Sequence, residues 1–221
     1  MEIIARIHTP FKEKFGIPRQ ANRVPGLIGT IVFEEKYRDE AALKGIEGFS
    51  HLWLIWEFSE NTEHKYSPTV RPPRLGGDTR MGVFATRSPF RPNPIGLSCV
   101  RLEEVRREGN QTVLIVSGVD MVDGTPIYDI KPYIPYADCH PDATGGFTEN
   151  ISHSLEVVDP VGVLDVFEEQ DGKALMAVLS EDPRPAYQDD PDRVYGMNFA
   201  GFNVKFRVKK STLEILSAEK C

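Results

Sequence analysis

Between residues 69 and 97 five arginines, Arg71, Arg74, Arg80, Arg87 and Arg91, are set among prolines and glycines around one short apolar run. A guanidinium is a planar fork of donors that fits a carboxylate, a phosphate or a base edge, and proline and glycine hold a backbone in loop shapes. Donor groups carried on rigid loops are a common form of binding site. A second cluster lies at 129–133, where Asp129, Lys131 and Tyr133 alternate with Ile130 and Pro132. In an extended chain the first three share one face. A carboxylate, an ammonium and a phenol are costly to bury together, so they read as a functional face, with a salt-bridged surface as the alternative. Covalent catalysis is disfavoured, because Ser88 and Ser98 lack the Gly-x-Ser-x-Gly elbow. Cys139-His140 could be half of a metal site, yet Cys99 and the other histidines show no zinc-ligand spacing. No metal is expected.

These groups sit in a chain of 221 residues, 40% hydrophobic and 27% charged, which is ordinary for a soluble globular protein. That length allows one large domain, or a medium domain with a small appendage, and the second is favoured. Three unpatterned cysteines, Cys99, Cys139 and Cys221, point to reduced thiols. With no secretory leader and no bilayer-length apolar run, the expectation is a cytoplasmic protein that does not enter a membrane. The net charge of −7 argues against a polyanionic partner, but its distribution does not. Residues 64–91 hold six Lys or Arg against the single acid Asp78, leaving −12 for the rest of the chain. A basic face on an acidic body can steer a nucleic acid into one orientation.

The elements that must position these groups read mainly as short strands. Residues 3–8, 27–33, 81–86, 96–105 and 112–120 have alternating or β-branched strand character, and 51–58 reads as a buried strand. Trp53 and Trp56 fall on opposite faces of that strand, where a core role is favoured over base stacking. Residues 37–49 suggest a short helix, with Asp39 and Glu40 in its first turn and Gly45 or Gly48 at its end. Many short strands with one helix predict a small closed β-barrel, since closure removes unpaired edges. No strand-glycine-helix fingerprint supports a Rossmann nucleotide fold. The polar stretch 137–154 marks a boundary between a barrel domain over 1–140 and a small α+β C-terminal domain over 155–221. That smaller part, with a helix near 173–180 and a strand at 202–208, needs the barrel or another subunit to dock on.

Residues 82–96, GVFATRSPFRPNPIG, closely resemble the signature of the TrmO family of tRNA methyltransferases, also called TsaA-like. Blocks at 12–20, 49–53, 69–77, 122–126, 129–133 and 182–187 agree with it in order, so the resemblance spans nearly the whole chain. It implies a homodimeric non-Rossmann β-barrel that binds S-adenosylmethionine and methylates N6 of N6-threonylcarbamoyladenosine beside the anticodon of threonine tRNA. Carried onto this chain, it implies cofactor contacts from Arg19, Gln20, Ser59, Glu60, Arg87, the backbone near Cys99, and Asp123, Gly124, Thr125 and Pro126. Methyl transfer needs one positioned base, assigned to Asp129 with Lys131 and Tyr133 orienting it or the ureido oxygen. Arg91 or Arg184 would take the threonyl carboxylate, Asn93 would line the base pocket, and Phe90, Tyr133 or Tyr187 would stack on an anticodon base. Arg71, Arg74 and Arg80 would take the stem phosphates. The competing readings are a non-catalytic RNA-binding barrel and a small-molecule methyltransferase using the same cofactor.

Overall fold

The computed structural model describes residues 1–61, 65–149, 154–185, 188 and 190–221, with the side chain of Arg74 outside that description. In chain order come β1 (Ala5–His8), β2 (Ile28–Phe33), β3 (His51–Glu57), β4 (Thr69–Val70), β5 (Met81–Gly82), β6 (Ile95–Glu108), β7 (Gln111–Ser117) and β8 (Thr125–Pro132). The ladder order β1-β2-β7-β6-β3-β8 returns to β1, so six antiparallel strands make a closed barrel. Inward-facing residues fill it: Ala5, Ile7, Ile31, Leu52, Leu54, Val100, Leu114 and Ile127 are fully buried. Strand periodicity dictates this, since residues two apart share a face. In β3 the alternation is strict, and only Leu52, Leu54 and Trp56 are buried, so the strand has one solvent-facing side where a wholly buried strand was expected.

Two expected elements differ. Residues 37–49 form no α-helix; the segment is three 3-10 turns, Glu35–Tyr37, Glu40–Leu43 and Ile46–Gly48. Gly45 takes φ +89° between them, and none of the three turns buries a residue, so no apolar stripe holds a longer helix. Residues 81–86 are a two-residue strand followed by the 3-10 turn Val83–Ala85, closed by Thr86 Oγ1 donating to the Val83 carbonyl at 2.9 Å.

After the short α1 (Pro135–Asp138), the chain adds β9 (Glu156–Val158), α2 (Glu169–Ser180), β10 (Val194–Phe199), β11 (Phe202–Lys209) and β12 (Thr212–Lys220). They form a separate sheet in the order β10-β11-β12-β9, and α2 buries Ala174, Leu175, Val178 and Leu179. This sheet docks on the barrel through the loop between β1 and β2. Phe11, fully buried, meets Phe199 edge-on at 5.5 Å, and Phe15 stacks over Phe206 at 6.4 Å. Burying one such ring stabilises by about 1.5–3 kcal/mol. Gly16 sits at φ +91° against Met197, whose Sδ would lie 1.8 Å from any Cβ placed there. Arg23 adds a two-pronged pair to Glu181, at 2.7 and 2.8 Å. The first loop is thus clamped between barrel and C-terminal sheet, which fixes the side chains it carries.

Candidate active site

The clamped loop forms one wall of a cavity of about 610 Å³ beside the barrel, within the usual range for a small-molecule site. Four stretches line it: Lys14 with Ile17 to Gln20, Trp56 to Asn61 at the end of β3, residues from 86–91 and 95–97 leading into β6, and Asp120 to Val122 with Thr125 leading into β8. Hydrogen bonds brace the first stretch and join it to two of the others. Arg87 Nη1 donates to Gln20 Oε1, Gln20 Nε2 donates to the Arg19 carbonyl at 2.5 Å, and Lys14 Nζ donates to the Glu60 carbonyl at 2.6 Å. Arg91 fastens its own loop, with Nη1 donating to the carbonyls of Val83, Thr86 and Ser88 at 3.3, 2.8 and 3.4 Å.

One polar chain runs into this cavity from the barrel. The Trp56 indole N–H donates to Ser98 Oγ at 2.9 Å, and Ser98 donates to Asp120 Oδ1 at 2.7 Å. Indole can only donate, so it occupies a lone pair of the hydroxyl and leaves the Ser98 proton for Asp120. Ser98 is buried at 2% exposure, and Asp120 lines the cavity. Burial pushes the Asp120 carboxyl up to about 6, against the Ser98 hydroxyl, backbone N–H groups and Arg87, which favour the charged form. The ring position depends on Gly96, where a Cβ would lie 2.2 Å from Trp56 Cε2.

Of the residues expected at the cofactor, Arg19, Gln20, Ser59, Glu60, Arg87 and Thr125 line this cavity. Asp123 does not: it staples the first loop, accepting from Lys12 Nζ at 2.5 Å and the Thr9 N–H at 3.1 Å, with His8 Nδ1 3.1 Å away. Burial raises its carboxyl, but these partners outweigh that and hold it below the usual range. Gly124 and Pro126 are also off the wall, and the Cys99 carbonyl accepts from Asn22 Nδ2 at 2.8 Å. Burial and then Asp138 push the Cys99 thiol up.

Asp129 and Lys131 lie on the outer barrel surface, across from Ile55 and Trp53, and form a 3.1 Å ion pair. Tyr133 is on the same side, 5.9 Å from the Trp53 ring, with its phenol raised by burial and then by Cys139. None of the three lines the cavity. Arg91 does, whereas Asn93 is exposed beyond it. Arg71 and Arg184 line a second cavity of about 550 Å³ on the other side of Arg19 and Gln20. Arg184 is held there by Asp182 through Nε and Nη2, at 2.8 and 2.9 Å. Arg80 is exposed and donates to Thr69 Oγ1 at 2.9 Å. The Arg74 side chain and Tyr187 lie outside the described residues. No group of three metal-ligating side chains comes together among the described residues.

Residues 6–139 match the family model of the tRNA-methyltransferase O N-terminal domain, and residues 168–221 match that of the TrmO C-terminal domain. The chain belongs to the TrmO family. Among similar proteins, an Escherichia coli K12 protein named tRNA (adenine(37)-N6)-methyltransferase is 41% identical, the match covering 99% of this chain and 97% of that one. A Pseudomonas aeruginosa protein provisionally named as the S-adenosylmethionine-dependent methyltransferase RcsF is 39% identical, over 95% of this chain and 93% of its own length. A crystal structure of TrmO from P. aeruginosa superposes with a TM-score of 0.80 at 32% identity, covering 99% of this chain and 95% of that one. Within this TrmO chain, sequence reasoning missed Asp120, Ser98 and the cavity-facing side of Trp56. Asp120 reads as the last residue of an apolar strand, and nothing local shows that Ser98, 22 positions away, reaches it.

Proposed function

We propose that this chain is an S-adenosylmethionine-dependent tRNA methyltransferase acting on N6 of adenine 37. More finely, its substrate is N6-threonylcarbamoyladenosine in the anticodon loop of threonine tRNA. Full-length likeness to the E. coli protein of that name supports the reaction class. The single observation on which the site assignment rests is the Arg19, Gln20, Arg87 bridge, which joins two signature blocks into one cavity wall.

The wall suits the cofactor. Ile17, Phe58 and Leu97 offer apolar surface for an adenosine, Arg19 and Arg87 offer donors for a carboxylate, and Glu57 and Glu60 offer negative charge toward a sulfonium and an ammonium. When bound, S-adenosylmethionine supplies an electrophilic methyl carbon. The chain's contribution is to hold nucleophile and methyl in line and to exclude water, which alone can supply several kcal/mol of the barrier, up to about 7–11. Arg71 and Arg80 take backbone phosphates, and Arg91 or Arg184 takes the threonyl carboxylate of the modified base. Asp129, Lys131 and Tyr133 stay on the outer wall, away from the methyl transfer.

The working unit is a cytoplasmic homodimer, with a barrel domain over 1–140 and a C-terminal domain over 155–221. Exposed Phe90 and Leu97 at the cavity rim favour a second copy covering it. No helix among the described residues is long and apolar enough to cross a membrane. The test is purified protein with S-adenosylmethionine and unmethylated tRNA, read by mass spectrometry of nucleosides. A new methyl group on threonylcarbamoyladenosine is expected. Saturable cofactor binding with no methyl transferred to tRNA, even at low salt, would refute it.

A further inference from the structure

We propose that Asp120 is the residue that takes the N6 proton during methyl transfer, positioned for this by Ser98 and Trp56. This rests on the reaction class above and goes beyond it by naming the base. The geometry singles out Asp120 among the acids of the cavity. Glu60 is exposed, with its backbone carbonyl tied to Lys14, and Glu57 accepts from the Tyr128 hydroxyl at the strand end. Asp120 alone is reached by a donor chain rooted in the barrel interior, and the direction of that chain is set, because indole cannot accept. Asp129, the base expected from sequence, is on the outer wall and paired to Lys131.

The chemistry balances. The N6–H proton passes to the Asp120 carboxylate, the nitrogen lone pair forms the new N–CH₃ bond, and the electron pair of the breaking C–S bond stays on sulfur. A sulfonium and a carboxylate become a thioether and a carboxylic acid, so opposite charges disappear together inside a partly enclosed cavity. Such a step gains from low dielectric surroundings that would penalise leaving either charge behind. A base whose pKa lies slightly below the working pH is charged when needed and still accepts a proton readily. The charged groups around Asp120 are Arg87 on the loop before β6, which stabilises its anion, and, farther along the same wall, Lys14, Arg19, Glu57, Glu60 and Arg91.

The test uses the full chain. Asp120→Asn should lower single-turnover methyl transfer by about 100-fold or more, while the dissociation constants for S-adenosylmethionine and for tRNA stay within about threefold of wild type. Wild-type transfer should rise with pH to a plateau above about 6. Ser98→Ala keeps the carboxylate but removes its donor, so the midpoint should move to higher pH, an effect that loss of packing alone does not produce. A third readout needs no activity: thermal stability of wild type relative to Asp120→Asn should fall as pH rises toward neutrality. A folded Asp120→Asn protein with near wild-type transfer and the same pH profile would overturn the proposal. So would loss of cofactor binding with an unmoved Ser98→Ala midpoint, which would make Asp120 a ligand instead. If wild type transfers no methyl to tRNA, the reaction class falls, and this proposal with it.

Discussion

Two aspartates nine residues apart, Asp120 and Asp129, have the same functional group and opposite surroundings. Asp120 faces the cavity at the end of a chain of donors that begins at Trp56 in the barrel interior. Asp129 stands on the outer wall, its side chain 46% exposed and paired with a still more exposed Lys131. Burial raises the first to about 6, and the reaction class gives such a carboxylate a use. The difference teaches that alternation along a strand shows which residues share a face, but not whether that face looks into a site. The widest separation is expected in catalysis. Asp120→Asn should cost about 10²–10⁴ in methyl-transfer rate, whereas Asp129→Asn should stay within about threefold. Equal losses in the two folded variants would erase the distinction.

The same pair differs in its linkage to stability. Because the folded-state pKa of Asp120 lies above its ordinary value of 3.8, the folded protein holds that proton longer than the unfolded chain does. Its favourable contribution is present below pH 3.8 and is lost as pH rises through about 6. Over that window wild type should lose up to about 3 kcal/mol relative to Asp120→Asn, since each tenfold change in proton affinity is worth about 1.36 kcal/mol. Denaturant unfolding of both proteins from pH 4 to 7 measures the difference and cancels the other acids. A pH-independent difference would mean that Asp120 is solvated like Asp129.

Why one aspartate was visible in the sequence and the other was not has a physical cause. Asp129, Lys131 and Tyr133 form a local pattern of period two, and strand geometry delivers the shared face that the pattern implies. Five of the six barrel strands were legible for the same reason, and so was the C-terminal strand near 202–208; β8 was legible only over its extended end from 129, and residues 81–86 lie outside the barrel. Asp120 depends on pairing of β3 with β6 and on the chain leaving β7 toward the cavity, so its partners at 56 and 98 are distant in sequence. Arg87 and Gln20, 67 residues apart, meet in one hydrogen bond although no periodicity connects them. Residues 37–49 misled because Asp39 does cap a turn, its Oδ1 accepting from the Ala41 N–H at 2.9 Å, yet no apolar stripe follows to extend it.

Gly96 tests whether the inner chain depends on its packing. A Cβ at this position meets three atoms of the Trp56 ring at 2.2 to 2.5 Å, and that ring is only 7% exposed. Gly96→Ala must therefore displace the indole or the β3–β6 pairing, at about 1–3 kcal/mol of stability. Since the indole N–H occupies an acceptor site on Ser98, a displaced ring also frees the hydroxyl to rotate away from Asp120. The variant should combine modest destabilisation with a raised midpoint of the activity-pH curve. Destabilisation with an unmoved midpoint would separate Trp56 from the positioning of Asp120 and leave it as core alone.

The smallest effect is expected on the outer wall. The Asp129–Lys131 pair spans 3.1 Å with side chains 46% and 62% exposed, so water and salt screen it, and both partners lose side-chain entropy in holding one geometry. Asp129 Oδ1 also accepts from the Ile130 N–H at 3.0 Å, a contact that an asparagine oxygen can keep. Asp129→Asn should therefore change unfolding free energy by no more than about 0.5 kcal/mol, and less at high salt. A larger loss that persists at high salt would show the wall buried in the working assembly. Repeating the measurement across protein concentration identifies a second copy as the cover: a cost that appears only where the protein is dimeric would give Asp129, Lys131 and Tyr133 their role at the interface between subunits.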